Sequence, residues 1–445
     1  MSNGTREHWS AGFGFTLAAV GSAVGLGNMW RFSYMAAENG GAAFVVLYVV
    51  LTLLVGLPVM LAELALGRGA GKSPIQALVH YGGAAWRPLG VLFVVSGFVI
   101  LAYYSVIAGW TARYVVEAAV HGFPDDAGAH FGALASGHSA ALWHLGFMGL
   151  VILVVSGGIR GGIERASLVL MPLLGFLVIA LALYAATLEG AVEGYRYYFT
   201  TDFLSIFDFE VLKDAAGQAF FSLSLGMGAI LTYASYLSRD RNLPREAMLV
   251  AISDFGVAFV AGLVVFPLVF ALGLQEDVSA STLGALFVTL PKAFATMGGA
   301  GRLIGVLFMV ALVVGGLTSA ISLLEVVVSS AIDGLDMERG KASWVAGGAI
   351  AALGLPSAYS LDVLGLMDQV GGNLLLVLGG LSLSILVGWV LGERAKASAA
   401  EGAPGAPGLG LWIGMLRFVV PPILIIVLVF SAADSWKLIV GLFEG

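Results

Sequence analysis

Glycines and polar residues interrupt the first hydrophobic segment of the chain at its midpoint. The run from Gly21 to Arg31 also contains Gly25, Gly27 and Asn28. Inside a helix, glycine costs about 1 kcal/mol per residue relative to alanine, and a charge near mid-bilayer is expensive. Membrane proteins tolerate a broken helix where it lines a buried polar cavity. Tight helix packing through a GxxxG pair would explain the glycines alone, so we interpret the run as part of a binding site.

A second hydrophobic segment, the sixth, is interrupted in the same way. Between Phe220 and Gly228, two serines and then two glycines alternate with apolar residues at the middle of the segment. Asp254 lies inside the seventh segment, where a lone buried carboxylate needs a proton or a neighbouring cation. Asn28, Ser222 and Asp254 together supply hard oxygen atoms of the kind that suit a small cation.

Two adjacent hydroxyl groups in the eighth segment indicate a second cation site. Thr318 and Ser319 follow the pair Gly315-Gly316. With backbone carbonyls freed in the first segment, they could bind a cation without a formal charge. The alternative is that both hydroxyl groups donate to the preceding helical turn, and the sequence leaves the two interpretations open.

The composition places these residues in a membrane. Of the 445 residues, 59% are hydrophobic and only 11% are charged, with a mean hydropathy of +0.97; soluble domains carry about 25% charged residues. The net charge of -7 comes without a basic stripe, so we expect no nucleic-acid partner. The absence of cysteine excludes disulfides, thiol catalysis and cysteine-based metal sites.

Eleven hydrophobic segments are predicted, with short basic loops on one side. Under the positive-inside rule these loops place the N-terminus in the cytoplasm and the C-terminus outside an inner (plasma) membrane. The first segment lacks a cleavage site and is expected to be retained. The oligomeric state stays open. The segments are 13–36, 42–67, 89–116, 141–157, 164–188, 211–237, 247–273, 302–332, 343–358, 364–392 and 409–439.

The two interrupted segments each begin a block of five, which indicates an all-α protein built from two inverted repeats. We expect a re-entrant or surface hairpin at 281–297, kinked at Pro291. The predicted division is a cytoplasmic gate segment (1–12), a first repeat (13–190), a second repeat (191–393), a flexible cytoplasmic linker (394–408) and an eleventh transmembrane helix with the C-terminus (409–445).

Four histidines are predicted to lie in or near an outer loop without metal-binding spacing: His121, His130, His138 and His144. No histidine is therefore expected in a core segment. An intramembrane hydrolase would need a nucleophile–base pair or a metal motif at membrane depth, so we expect that the chain is not an enzyme.

The chain resembles the neurotransmitter:sodium symporter family, and in particular its bacterial leucine-transporter-like amino-acid symporters of the eleven-helix type. The resemblance extends over every segment. It rests on Arg6-Glu7-His8-Trp9, Ala23-Val24-Gly25-Leu26-Gly27-Asn28, Arg31-Phe32, Glu38-Asn39-Gly40-Gly41, Tyr103-Tyr104, Ser222-Leu223-Ser224-Leu225-Gly226, Leu317-Thr318-Ser319 and Met367-Asp368, in family order. It implies the leucine-transporter fold, with two inverted five-helix repeats plus an eleventh transmembrane helix.

The resemblance implies two sodium ions and an amino-acid substrate. The first ion would bind Ala23, Asn28, Ser222 and Asp254, and the second Gly21, Val24, Gly315, Thr318 and Ser319. The substrate pocket would consist of Ser22, Ala23, Leu26, Gly27, Ile100, Tyr104, Phe221, Ser222, Ser224, Met227, Ser319 and Leu323. Its apolar lining, and the lack of an acidic side chain at Gly25, imply a neutral, hydrophobic L-amino acid that brings its own carboxylate.

Gates and chloride independence follow from the same resemblance. Arg31 and Asp368 would pair outside the site, and Arg6 and Asp333 would pair on the cytoplasmic side with Trp9 as a plug. Gly162 and Pro172 match the family's helix-unwinding motif. Tyr48 and Gln218 occupy chloride-site positions, but Asp254 can supply the negative charge and Ala258 stands where chloride-dependent members have serine.

The implied function is sodium-coupled import of the amino acid by alternating access, without chloride. The alternative is an amino-acid sensor or channel-like protein with the same fold. Uphill accumulation of the substrate in a sodium gradient distinguishes the two.

Overall fold

The computed structural model describes residues 7–10, 12–200, 203–274 and 282–444, which contain helices and turns but no β-strand. The predicted gate residue Arg6 lies outside these ranges. The helices, in chain order, are α1 Gly12–Ala23, α2 Gly27–Glu38, α3 Ala42–Ala70, α4 Pro74–Gly82, α5 Ala84–His121, α6 Ala127–Leu134, α7 His138–Ser156, α8 Ile159–Ala185, α9 Ala191–Phe199, α10 Phe209–Ser222, α11 Ala229–Ala234, α12 Leu243–Ala271, α13 Leu290–Thr296, α14 Gly298–Leu335, α15 Arg339–Tyr359, α16 Leu361–Leu391, α17 Glu393–Ala400 and α18 Leu409–Trp436.

Eight of the described helices are long and apolar enough to cross a membrane, and α1 with α2 makes a ninth if the bent pair counts as one span. Of the other two predicted segments, the sixth is split into the short helices α10 and α11, and α15 is less apolar. The count of eleven spans therefore stays a prediction.

The long helix α14 lies at the centre of the bundle. It packs along α5, α8 and α15, and α1 contacts α14, α8 and α12. Gly315 and Gly316 let the break between α1 and α2 approach α14 closely, through the Gly25 backbone and the Leu26 side chain, as small residues do at helix interfaces in membranes. This packing brings the broken first segment against the hydroxyl groups of α14.

Both predicted interruptions are present. The axes of α1 and α2 are bent by 61° across residues 24–26. Between α10 and α11 the chain adopts positive φ at Ser224 (53°), Gly226 (76°) and Gly228 (73°), which a helix cannot accommodate. A side chain at Gly226 would overlap the carbonyl oxygen of Leu376, so this break also needs glycine to approach α16.

Two predictions about connecting regions need correction. His144 is fully buried in α7, where its ring nitrogens lie 3.1 Å from Ser105 Oγ and 2.9 Å from the Ala351 carbonyl oxygen. The outer-loop prediction is wrong for it, because α7 packs on α5 and α15 there and both ring nitrogens find partners. The stretch predicted as a flexible linker begins with the helix α17, whose Ala395 and Ala399 are buried. The 281–297 segment is helical from Thr282 to Thr296, and a π-helical turn, Ala285–Thr289, directly precedes α13 and its Pro291.

Candidate functional site

The two helix breaks face each other across a central cavity of about 30 Å³. Ser224 Oγ donates to the Ser22 carbonyl oxygen (2.8 Å), which joins the second break to the first segment. The Leu26 amide donates to the Tyr104 hydroxyl (3.2 Å), which joins the first break to α5. The cavity has room for about two water molecules, so a larger ligand requires its walls to move apart. It is lined by Ala23, Gly25, Gly27, Asn28, Ile100, Tyr104, Phe221, Ser222, Ser224, Met227, Ser319 and Leu323.

This lining contains ten of the twelve residues expected in a substrate pocket; Ser22 and Leu26 are absent from it. The Ser22 hydroxyl points to α14 and donates to Ser322 Oγ (2.8 Å). Leu26 lines a separate cavity on the other side of Phe221. The carbonyl of Ser22, rather than its side chain, is the group directed toward the second break.

The first group of expected cation ligands is fully buried and mutually hydrogen-bonded. Asn28 Nδ2 donates to Asp254 Oδ1 (2.6 Å) and to Ser222 Oγ (2.8 Å), and Ser222 Oγ lies 2.8 and 2.9 Å from the two carboxylate oxygens. The three side chains are at most 2% exposed. The Asn28 amide presents its nitrogen to this cluster, because its Oδ1 accepts a hydrogen bond from the Gly25 amide (2.9 Å). The cluster therefore offers the Asp254 carboxylate, with one formal negative charge, and the Ser222 hydroxyl as oxygen ligands suited to a monovalent cation.

The residues at the chloride-site positions differ in their partners. Tyr48 Oη donates to Asp254 Oδ2 (2.8 Å), and Gln218 Nε2 donates to the Gly27 carbonyl oxygen (3.1 Å). Ala258 is fully buried and offers no hydroxyl group. The Tyr48 hydroxyl is therefore directed at the Asp254 carboxylate, and the Gln218 amide is directed at the start of α2.

The second group of expected ligands is organised around Ser319. Its Oγ lies 3.4, 3.3 and 3.5 Å from the carbonyl oxygens of Gly21, Ser22 and Val24. The Thr318 hydroxyl donates to the preceding turn, at 3.0 Å from the Gly315 carbonyl oxygen. Of the two open interpretations, back-bonding describes Thr318, while Ser319 faces the carbonyls of the first break.

A vestibule of about 290 Å³ opens on the far side of Phe221 and Tyr104, which line it as well as the central cavity. Arg31 and Asp368 are both on its wall. The Arg31 guanidinium lies 4.7 Å from the centre of the Phe221 ring and donates to Asn373 Oδ1 (3.1 Å). Within the described residues no ion pair joins Arg31 to Asp368, so the expected gate pair is not formed in this structure.

The opposite end of the bundle, which we call the N-terminal end, is closed by residues 7–10. Trp9 is 7% exposed, and its indole N–H donates to the Tyr233 carbonyl oxygen (3.0 Å). The Ser10 amide donates to Glu164 Oε2 (2.9 Å), and the Ser10 hydroxyl donates to Oε1 of the same carboxylate. Asp333, the expected partner of Arg6, accepts a hydrogen bond from the Ser73 amide (2.6 Å).

A buried ion pair reinforces this closure. Arg339 Nη1 lies 2.8 Å from Glu325 Oε2, which is fully buried, and Arg339 Nε lies 3.0 Å from Glu7 Oε1. Glu7 in turn accepts a hydrogen bond from the Ile159 amide (2.6 Å). The N-terminal segment is thus connected to α8, α14 and α15.

The predicted helix-unwinding residues both lie in α8, Gly162 in its first turn and Pro172 near its middle. Residues Ile159–Glu164 form a π-helical turn, and a side chain at Gly162 would overlap the Val154 carbonyl oxygen. Pro172 lies inside the helix and removes one backbone hydrogen bond. The π-helical turn thus lies next to the contact between Ser10 and Glu164, and the missing hydrogen bond lies further along the same helix.

Glu63 was missed by sequence reasoning. Its fully buried carboxylate accepts hydrogen bonds from the amides of Gly226 (2.9 Å) and Leu231 (3.1 Å), and so holds the break between α10 and α11 open. The signal was available, because an ionisable residue inside an apolar segment is a functional candidate by default. Glu325 carried the same signal.

Comparison with known proteins assigns the chain to a family. The model of the sodium:neurotransmitter symporter family matches residues 6–131 and 135–440. The chain belongs to this family, as the sequence motifs predicted, and is therefore a transporter rather than an enzyme.

Individual relatives agree with this assignment. An uncharacterized sodium-dependent transporter of Methanocaldococcus jannaschii is 40% identical over 68% of the chain, which covers 65% of that protein. An uncharacterized sodium-dependent transporter of Haemophilus influenzae is 30% identical over 96% of the chain and 98% of its own length. The crystal structure of MhsT in complex with L-phenylalanine matches with a TM-score of 0.87 and 39% identity, over 96% of the chain and all of MhsT. The predicted leucine-transporter fold is confirmed.

Proposed function

We propose that this member of the sodium:neurotransmitter symporter family imports a neutral, hydrophobic L-amino acid together with sodium, by alternating access and without chloride. The observation that carries the proposal is the position of both helix breaks around one buried cavity, beside Asn28, Ser222 and Asp254. The relative solved with L-phenylalanine supports an amino-acid substrate.

The pocket offers partners for both ends of an amino acid. Tyr104 Oη accepts from the Leu26 amide and keeps its own proton for a carboxylate, beside the positive N-terminal end of α2. The Ala23 and Phe221 carbonyls and the Ser224 hydroxyl can accept from the ammonium group. A Cβ at Gly25 would lie 2.6 Å from Ser319 Oγ, so the site has no space for an acidic side chain there.

The side-chain end of the pocket is apolar. Ile100, Met227 and Leu323 line the central cavity and are each at most 4% exposed. Methionine adapts its shape readily, so Met227 can accommodate side chains of different size when the walls move apart. No charged group among the described lining residues would pair with a charged substrate side chain.

Two sodium ions would be transported with the substrate. The first would bind the Ala23 carbonyl, Asn28, Ser222 and Asp254, next to the substrate carboxylate. The second would bind the Gly21, Val24 and Gly315 carbonyls with the hydroxyl groups of Thr318 and Ser319, after Thr318 rotates away from its own helix. The Asp254 carboxylate supplies the negative charge that a bound chloride would otherwise provide.

In this proposal the vestibule end faces outward and the N-terminal end faces the cytoplasm. The structure then has its cytoplasmic side closed by Trp9 and Ser10 while the outer gate pair, Arg31 and Asp368, is apart. Transport requires these two conditions to exchange, with unwinding at Gly162 giving water a route to the second sodium.

Uptake of labelled amino acids into proteoliposomes tests the proposal. Sodium-driven accumulation of neutral apolar amino acids, unchanged when gluconate replaces chloride, is the expected result. Binding without accumulation would indicate a sensor instead, and loss of uptake in gluconate would contradict chloride independence.

Replacing Asp254 with asparagine tests the role of its charge. Because Asp254→Asn removes the only formal charge among the first group of ligands, we expect the sodium concentration for half-maximal uptake to rise about tenfold or more, or uptake to become chloride-dependent. The matched control is Asp362→Asn, an exposed carboxylate at the start of α16. Unchanged sodium and chloride dependence in Asp254→Asn would remove this residue from the first site.

A further inference from the structure

An open groove lies on the outer surface of the bundle between α7 and α8. It has a volume of about 470 Å³, and its walls include Leu153 of α7 and Val169 of α8, which are 59% and 66% exposed. Its floor reaches Leu317 of α14, the residue before Thr318. No residue of the described chain fills it.

The groove exists because α7 and α8 separate after the turn that joins them. Gly158, with φ of +80°, redirects the chain between the two helices. Both helices then pack on α14 and make little contact with each other. A side chain at Gly161 would meet no protein atom within 4 Å, so the glycine leaves the groove open at this end.

A cationic side chain stands at the mouth of this apolar groove. Arg165 lines the groove, is exposed, and has no hydrogen-bond or ion-pair partner within the part of the chain that the structure describes. The nearby Arg160 differs, since its Nε donates to the His8 carbonyl oxygen (2.7 Å). The guanidinium of Arg165 is therefore free to bind an anion in a bidentate manner.

We propose that the groove binds an anionic glycerophospholipid, with one acyl chain lying between α7 and α8 and the headgroup phosphate on Arg165. Within a bilayer, apolar contact alone does not favour one lipid over another, because lipid tails are as apolar as the groove. The selectivity comes from the charge of Arg165, which attracts anionic lipid in the cytoplasmic leaflet. The choice of leaflet rests on the orientation given under the proposed function.

A lipid in this position would cover a weak part of the backbone. The groove includes Gly161 and Gly162 of the π-helical turn, which precede Glu164, the acceptor of the Ser10 hydrogen bonds. Occupancy excludes water from this turn and favours its folded form. It therefore stabilises the closed N-terminal end, and hydrogen exchange of residues 157–166 should slow when anionic lipid is bound.

Native mass spectrometry of the purified full-length protein tests the site directly. Phosphatidylglycerol and phosphatidylcholine with identical acyl chains are compared by titration. We expect the wild type to prefer phosphatidylglycerol and Arg165→Gln to weaken its binding about fivefold, which corresponds to one cationic side chain at a membrane surface. Arg165→Lys, which keeps the charge, should retain most of the preference.

A second variant tests the groove itself. Val169→Trp fills it from an exposed position and should reduce binding of both lipids and abolish the slowing of hydrogen exchange. The matched controls are Leu168→Trp, which is exposed on α8 outside the groove, and Arg394→Gln, an exposed arginine on α17. Both should behave as the wild type.

Equal affinity of the wild type for the two lipids, or unchanged lipid binding in Val169→Trp, would overturn the proposal. A dimer that Val169→Trp dissociates would also overturn it, because the groove would then bind a second copy of the chain. These measurements do not involve transport, so their outcome is independent of whether the protein carries an amino acid.

Discussion

At the N-terminal end of the bundle, buried carboxylates have hydrogen-bond and ion-pair partners, whereas at the vestibule end the two expected gate charges do not meet. Glu164 accepts two hydrogen bonds from Ser10, and Glu325 pairs with Arg339. In contrast, Arg31 contacts Asn373 and the Phe221 ring, and it shares the wall of an open vestibule with Asp368.

The difference indicates that the buried polar contacts that stabilise this conformation are at the N-terminal end. A fully buried charge that loses its partner is expensive, while pairing between partly exposed charges contributes less. Opening the N-terminal end breaks buried polar contacts. New contacts that form when the vestibule end closes must therefore offset this loss. Substitutions at the two ends should accordingly differ in their effect on the free energy of unfolding.

The largest effect is expected from breaking the buried ion pair. Arg339→Gln leaves the fully buried Glu325 without its cation, although the Tyr236 hydroxyl still donates to it (2.6 Å). The loss of one partner of a buried pair costs about 3–5 kcal/mol. Denaturant unfolding of the protein in micelles measures this change.

The double variant Arg339→Gln with Glu325→Gln is the control. It removes both charges, so much of the lost stability should return. If the double variant were as unstable as the single one, the ion pair would not be what stabilises the N-terminal end.

A smaller effect is expected from Ser10→Ala. This variant removes the hydroxyl donor to Glu164 but keeps the backbone amide donor. Loss of one hydrogen bond to a charged group costs about 1.5 kcal/mol, which raises the population of the open N-terminal end about tenfold. The protein has no cysteine, so maleimide labelling of a single introduced cysteine, Ala18→Cys, measures that population.

A buried serine inside α14 provides the control for this measurement. Ser329→Ala removes a hydroxyl that donates only to its own helix, at the Val326 carbonyl oxygen (3.1 Å), and should leave the labelling rate unchanged. Equal labelling of Ala18→Cys with and without Ser10→Ala would show that the N-terminal segment does not limit access.

The sequence points to the candidate central site because residues there violate the rules of an apolar helix. Asn28, Ser222 and Asp254 stand out at membrane depth, and the structure brings them within hydrogen-bond distance. Each of these signals is local in the sequence. The same reasoning applied to Glu63 would have identified the carboxylate that holds the second break.

The sequence could not predict which way a side chain turns or which partner it finds. Ser22 lies next to the first break, yet its hydroxyl points to α14, because the direction depends on how the two helices pack. His144 lies near the start of the predicted segment 141–157, and its partners in the core, Ser105 and Ala351, are remote in sequence. The contact of Ser10 with Glu164 is equally non-local.

The smallest effect on stability is expected at the vestibule end, from Asp368→Asn. Asp368 is partly exposed on the vestibule wall and makes no ion pair with Arg31 in this structure. Its substitution should change the free energy of unfolding by less than about 0.5 kcal/mol, as surface substitutions do. If the two charges pair only when the outer end closes, the same variant should nevertheless slow sodium-driven uptake severalfold, because that step alone loses an interaction.

A large loss of stability would mean that Asp368 already supports the present conformation, and unchanged stability with unchanged uptake would remove it from the gate. An Asp368→Asn protein that is stable but transports slowly would thus show that Arg31 and Asp368 pair in the state in which the outer end is closed. A protein in which both properties are unchanged would show that the two charges do not form a gate.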